Sequence, residues 1–109
     1  MDYMSLTGLL TEHLTKARTA SSGRSAHTVY GGQDRTLRQT LIALRAGQRL
    51  DEHANPGEAT LQVLHGRVRL ESDGTFCEGA AGDLLVIPDA RHALEALDDA
   101  GVLLTVAKR

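Results

Sequence analysis

What most constrains this chain is the stretch after residue 24. There, short runs of β-forming residues follow one another, each closed by Gly, Pro, Asn or Asp. Residues 67–72 show the pattern: Val68, Leu70 and Ser72 alternate with Arg67, Arg69 and Glu71, the period of two of a strand with one face buried. Ser72-Asp73-Gly74 then supplies a hairpin turn. Gly79-Ala80-Ala81-Gly82-Asp83 is a second turn, and Leu84-Leu85-Val86-Ile87 reads as a buried strand stopped by Pro88. The same reading places strands near 25–30, 34–45, 48–53, 58–64, 66–72, 75–78, 84–87, 92–96 and 102–106. Short strands at such even spacing predict a sandwich or a closed barrel, and closure removes exposed sheet edges.

Upstream, residues 5–18 predict a helix. Leu6, Leu9, Leu10, Leu14 and Ala17 fall on one stripe at helical spacing, although Gly8 weakens the helix by about 1 kcal/mol. The stripe is expected to pack on the body of the fold or on a second subunit. Ala20-Ser21-Ser22-Gly23 reads as a linker. The chain therefore divides into a helix and linker over 1–24 and an all-β unit over 25–109. At 109 residues it has the length of one domain.

Only Tyr3, Tyr30 and Phe76 are aromatic and there is no Trp, so the core must come from Leu, Val, Ile and Ala. Stacking platforms for bases are scarce, and a net charge of −2 gives no basic field, so no nucleic-acid partner is expected. The charge is uneven: residues 1–49 hold seven Lys/Arg against three Asp/Glu, and residues 50–109 hold five against eleven. Solvated outer faces explain this best; a basic face through Arg35, Arg38, Arg45 and Arg49 is the weaker reading. The one cysteine, Cys77, cannot form an internal disulfide, has no adjacent His or Lys to lower its pKa, and reads as a buried or idle thiol. No apolar run approaches the roughly 20 residues that span a bilayer. The N-terminus lacks the basic region of a signal peptide. No membrane partner and a cytoplasmic location are expected.

Two segments carry a denser pattern. The first runs from Gly47 through His53, Asn55, Pro56-Gly57-Glu58 and His65 to Gly66; the second is Gly82-Asp83-Leu-Leu-Val-Ile-Pro88-Asp-Ala-Arg-His92. Together they resemble the two motifs of the cupin superfamily, G-x5-H-x-H-x3,4-E-x6-G and G-x5-P-x-G-x2-H-x3-N, closely over residues 47–96. The resemblance implies a small single-domain cupin: an all-β double-stranded β-helix, or jelly-roll barrel, with the N-terminal helix added. In such barrels the motif histidines and glutamate point into the mouth and hold a divalent metal, often Fe, Mn, Ni, Zn or Cu.

Carried over position by position, the resemblance is incomplete. Gly47, His53, Gly66, Gly82 and Pro88 match. The second histidine of the first motif is Asn55, and the glutamate column falls on Ala59, with Glu58 one place off. In the second motif the glycine after the proline is Ala90, the turn before His92 is one residue short, and the final column is Ala96. His53 and His92 are thus the expected metal ligands, an incomplete set for Zn, Ni, Mn or Fe. Three ligands with open positions are what Fe(II) chemistry needs. Glu58 would complete such a face only if the turn at Pro56-Gly57 absorbed a one-residue shift, because one residue along a strand turns a side chain to the other face.

The resemblance implies a binding protein whose barrel mouth, through His53, Asn55, Glu58, Gln62 and His92, takes a small polar ligand or a weakly held metal. The alternative is a metal-dependent enzyme of dioxygenase or isomerase type using His53 and His92. A homodimer is expected, because small cupins commonly pair through sheet edges. His13, His27 and His65 are expected at the surface. Ala59, Leu61 and Val63 are expected to face inward, so the pocket lining is aliphatic.

Overall fold

The computed structural model describes residues 1–53 and 57–108, with Glu52 and His53 described by their backbone alone. The element order is α1 (Leu6–Thr19), β1 (Arg24–Tyr30), β2 (Leu37–Leu44), β3 (Arg49–His53), β4 (Gly57–His65), β5 (Arg67–Ser72), β6 (Thr75–Ala80), β7 (Leu84–Ile87), β8 (His92–Ala96) and β9 (Ala100–Lys108). Two antiparallel sheets face each other, one in the order β1-β2-β9-β4-β7 and the other β3-β8-β5-β6. This is the expected all-β barrel with one N-terminal helix.

Period two decides which side chains meet. On β4, Ala59, Leu61 and Val63 are buried while Glu58 and Gln62 are exposed. On β5, Val68 and Leu70 are buried. These inner faces close over one aliphatic core that also takes Leu44, Leu85, Ile87, Leu94, Ala96, Ala100 and Val102. The expected inward set Ala59, Leu61 and Val63 is therefore in place. The hairpin between β5 and β6 turns on Asp73 and Gly74, with φ of 51° and 76°, while Ser72 pairs with Thr75. Two successive positive φ values match the right-handed twist of the flanking strands.

The outer faces differ from each other. Across β3-β8-β5-β6 the register aligns Arg49 with Glu95, Glu95 with Arg69, and Arg69 with Glu78, a ladder of alternating charge. Arg69 reaches Glu78 at 3.1 Å and Arg49 reaches Glu71 at 3.4 Å. Acidic residues of the second half thus balance arginines from both halves on a solvated face. The outer face of the other sheet is covered by α1, which packs against β1, β2 and β9. Leu14 and Ala17 bury against Ala43, with Leu10 beside them. The helical stripe therefore packs on the body of the fold. Ser5 caps the helix by accepting from Gly8 N at 3.0 Å, and Arg45 Nη1 donates to the carbonyls of Arg18 and Ala20 at its far end.

Three expectations are corrected here. Leu84–Ile87 is not buried throughout: Leu84 and Val86 are 61% and 74% exposed, because β7 pairs only with β4 and α1 lies over the other end of the sheet. Cys77 is exposed on β6, an outer strand of its sheet. His13 is not a surface residue; it is 4% exposed in the seam between α1 and β1, where Nδ1 lies 2.6 Å from Ser25 Oγ.

The bend between β8 and β9 ties the two halves together. Asp99 accepts from Arg18 Nε and from Ala46 N, both at 2.8 Å, and this pairing with the Arg18 guanidinium and the Ala46 amide holds its carboxyl below the usual carboxylate range. Neighbouring Asp98 is lowered chiefly by its hydrogen bond from Arg67. A carboxylate with a lowered folded-state pKa stabilises the fold above the unfolded pKa and stops doing so as pH falls through the folded one. Asp99→Asn is accordingly expected to lower stability by about 1 kcal/mol at pH 7, a value reduced for solvent screening. That difference should fade below about pH 4, the ordinary carboxylate value, and urea unfolding of both proteins at pH 7 and pH 3 checks it.

Candidate functional site

The motif glycines and the motif aspartate act as builders of the barrel. Gly82 takes φ of +95° in the turn from β6 to β7. Asp83 closes that turn by accepting from Ala80 N at 2.8 Å, and the turn pairs with β4 through Val63 N to Asp83 O and Gly82 N to Val63 O. Gly47 N donates to Ala96 O at 2.8 Å, and Ala96 N to Gln48 O at 2.9 Å, which seats the turn before β3 on the end of β8. These turns set β3, β4, β7 and β8 around a cavity of about 100 Å³.

The cavity is lined by Ile42, Leu50, Leu61, Leu70, Ile87, Leu94 and Leu104, with His92 as the one polar side chain. Ile42, Leu50 and Leu104 are only partly buried, so the cavity opens on their side, between β2 and β3. His92 is 3% exposed at the start of β8, and its Nδ1 donates to Ala90 O at 3.0 Å. A carbonyl can only accept, so Nδ1 carries a proton. The short turn after Pro88, one residue tighter than the family pattern, supplies that carbonyl.

The predicted site residues separate as follows. His92 lines the cavity. His53 is its register partner across β3 and β8, so the two motif histidines stand at opposed positions of one sheet. The side chain of His53, and Asn55 altogether, lie outside the described residues. Glu58 and Gln62 do not reach the mouth: both are exposed on the outer face of β4, one residue out of phase with Ala59, Leu61 and Val63. This corrects the expectation for those two positions, and the reason is strand parity, which no turn at residue 57 offsets because β4 is already extended there. His27 and His65 are exposed, as expected. Tyr30 and Phe76 are 47% and 62% exposed and take no part in the lining. Leu50, Leu70, Leu94 and Leu104 are cavity residues that sequence reasoning missed; their signal is alternation on strands whose facing partners only the folded barrel reveals.

Where the family pattern has a glutamate, β4 carries the buried methyl of Ala59. Among the described residues no group of three His, Cys, Asp or Glu could hold a metal ion.

No family model and no curated protein matches the chain. Solved structures do. A conserved protein of unknown function from Streptococcus pyogenes is 30% identical, with a TM-score of 0.74 over 83% of this chain and 78% of that one. An RmlC-like cupin protein from Desulfovibrio desulfuricans is 26% identical, with a TM-score of 0.67 over 77% and 81%. A cupin 2 conserved barrel domain protein from Leptotrichia buccalis is also 26% identical, with a TM-score of 0.71 over 78% of this chain and 41% of its own. The two motifs and the barrel that these neighbours match are those of one family: the chain belongs to the cupin superfamily.

Proposed function

We propose that this chain is a binding protein whose barrel takes one small, mainly aliphatic molecule. The observation that carries the reading is the cavity itself: about 100 Å³, walled, among the described residues, by seven aliphatic side chains and one imidazole. An apolar cavity of about 150 Å³ holds benzene, so this one suits a smaller body, a chain of roughly four or five carbons. Dispersion contacts and water exclusion grip the body. With Glu58 and Gln62 turned outward on β4, the mouth holds fewer polar groups than the motif alone implies, and the ligand is correspondingly less polar. The aliphatic wall and the missing glutamate favour binding over metal-dependent catalysis.

Titration with pentan-1-ol tests this. Small ligands gain little free energy per atom, so a Kd of about 1 mM is expected. Methyl and imidazole NMR signals of Leu61, Leu94, Leu104 and His92 should shift together. Leu61→Phe, which fills the cavity, should abolish the shifts while leaving the folded spectrum intact. Shifts confined to the exposed Leu84 and Val86, or none at 20-fold the expected Kd, would end the reading.

A further inference from the structure

Four arginines were set apart as a basic group by the sequence: Arg35, Arg38, Arg45 and Arg49. The fold gives three of them ordinary partners. Arg45 caps α1, Arg49 pairs with Glu71, and Arg35 lies 5.9 Å from the centre of the Tyr30 ring. Arg38 is different. Its Nη2 donates to Gln33 O at 3.3 Å, and its Nε is buried without a hydrogen-bond partner. Among the described residues no carboxylate pairs with it, although Arg18, Arg49, Arg67 and Arg69 each have one.

The register places Arg38 on the cavity face of its sheet. Arg38 pairs with Val106, Val106 with Ala59, and Ala59 with Ile87, one row of side chains across β2, β9, β4 and β7. Directly opposed residues of antiparallel strands share a face, and Ile87 on that row lines the cavity. The next row, Thr40, Leu104 and Leu61, contributes two more lining residues and brings the Thr40 hydroxyl to the same face. Beyond β2 the cavity face of the sheet is uncovered: Ala26 and Thr28 of β1, opposite Ile42 and Thr40, are exposed. Next to the cavity lining, this face of the sheet thus carries one guanidinium and two threonine hydroxyls.

We infer that the ligand is a short-chain carboxylate, its aliphatic body in the cavity and its anionic head on Arg38, with Thr40 beside it. This rests on the binding function proposed above. The planar fork of a guanidinium matches a carboxylate, and the unpartnered Nε supplies half of such a fork.

The test compares pentanoate with pentan-1-ol, equal in chain length and different in the head group, by calorimetry of the whole chain at low salt. Pentanoate should bind at least tenfold tighter than pentan-1-ol, and the margin should shrink in 0.5 M NaCl. In Arg38→Gln the margin should vanish while pentan-1-ol binding stays unchanged. Arg38→Lys, which keeps the charge and loses the fork, should fall between the two and serves if Arg38→Gln fails to fold. Equal binding of the two probes by the native chain would overturn the carboxylate assignment and leave the cavity reading standing. A preference that survives in Arg38→Gln, or in Arg38→Lys at full strength, would overturn the role of Arg38. Binding of neither probe would overturn both readings.

Discussion

Gly66→Ala is expected to lower stability by about 3 kcal/mol, a fall in Tm of roughly 10–20 °C for a domain of this size. Gly66 closes the first motif with φ of +75°, a region that L side chains rarely adopt. A Cβ there would also press into the carbonyl oxygen of Asp99, a backbone atom in the bend that Arg18 and Ala46 hold in place. Neither partner can give way cheaply, so conformational strain and steric overlap add. Gly82 separates the two contributions. It has φ of +95° but open space where a Cβ would go, so Gly82→Ala should lose only about 1 kcal/mol, the conformational part. Thermal unfolding of the two variants side by side checks the pair. Equal losses would show that the close approach of Asp99 contributes nothing.

Ala59→Glu is the second large effect. Ala59 is 6% exposed among Leu61, Ile87 and Val106, in the column where the family pattern carries a glutamate. Arg38 stands on the same row but two strands away, beyond Val106, and no cation is described next to Ala59, so a carboxyl there stays protonated in the folded state and ionises in the unfolded one. If burial raises its pKa by about three units, the loss at pH 7 is about 4 kcal/mol. The sign follows from proton counting. Between the unfolded and folded pKa values the folded state binds more protons, so stability falls as pH rises through the unfolded value near 4. Below that pH the ionic part disappears and only the packing defect remains. Gln62→Glu, three residues along on the exposed face, should stay within about 0.5 kcal/mol of the parent at both pH values. Urea midpoints at pH 4 and pH 7, each against the parent at the same pH, provide the measurement. A pH-independent loss in Ala59→Glu, or a comparable loss in Gln62→Glu, would show that β4 does not present its odd-numbered side chains to the cavity.

Both experiments probe the same division between what is local in this chain and what is not. The strands were legible because alternation and turn chemistry are properties of neighbouring residues. Val68 and Leu70 alternate with arginines, and Asp73-Gly74 permits the positive φ values that a tight hairpin needs. The helix was legible for the same reason, from Leu10, Leu14 and Ala17 at helical spacing above the Ser5 cap. Parity along β4 even disfavoured Glu58 as a ligand before any fold was in hand. Errors came where a residue's surroundings are set by distant chain. His13 is polar and near the rim of its stripe, and only the approach of Ser25 on β1 buries it. Leu84 and Val86 look like core by composition, and only the position of β7 at the end of its sheet exposes them.

The sequence by itself determined the elements, their turns, the inward faces of the strands and the family to which they are similar. Those follow from backbone sterics and from periods of 2 and 3.6 residues, which act over a few bonds. Tertiary structure alone decided the site. It brought Leu50, Leu61, Leu70 and Leu104 from four strands around His92, and through the register of β2 with β9 it set Arg38 on the same face of the sheet. Register is a long-range choice, made when two sheets close over a shared core, because burying both apolar faces at once is possible in one alignment and a slip of one residue turns every side chain the wrong way.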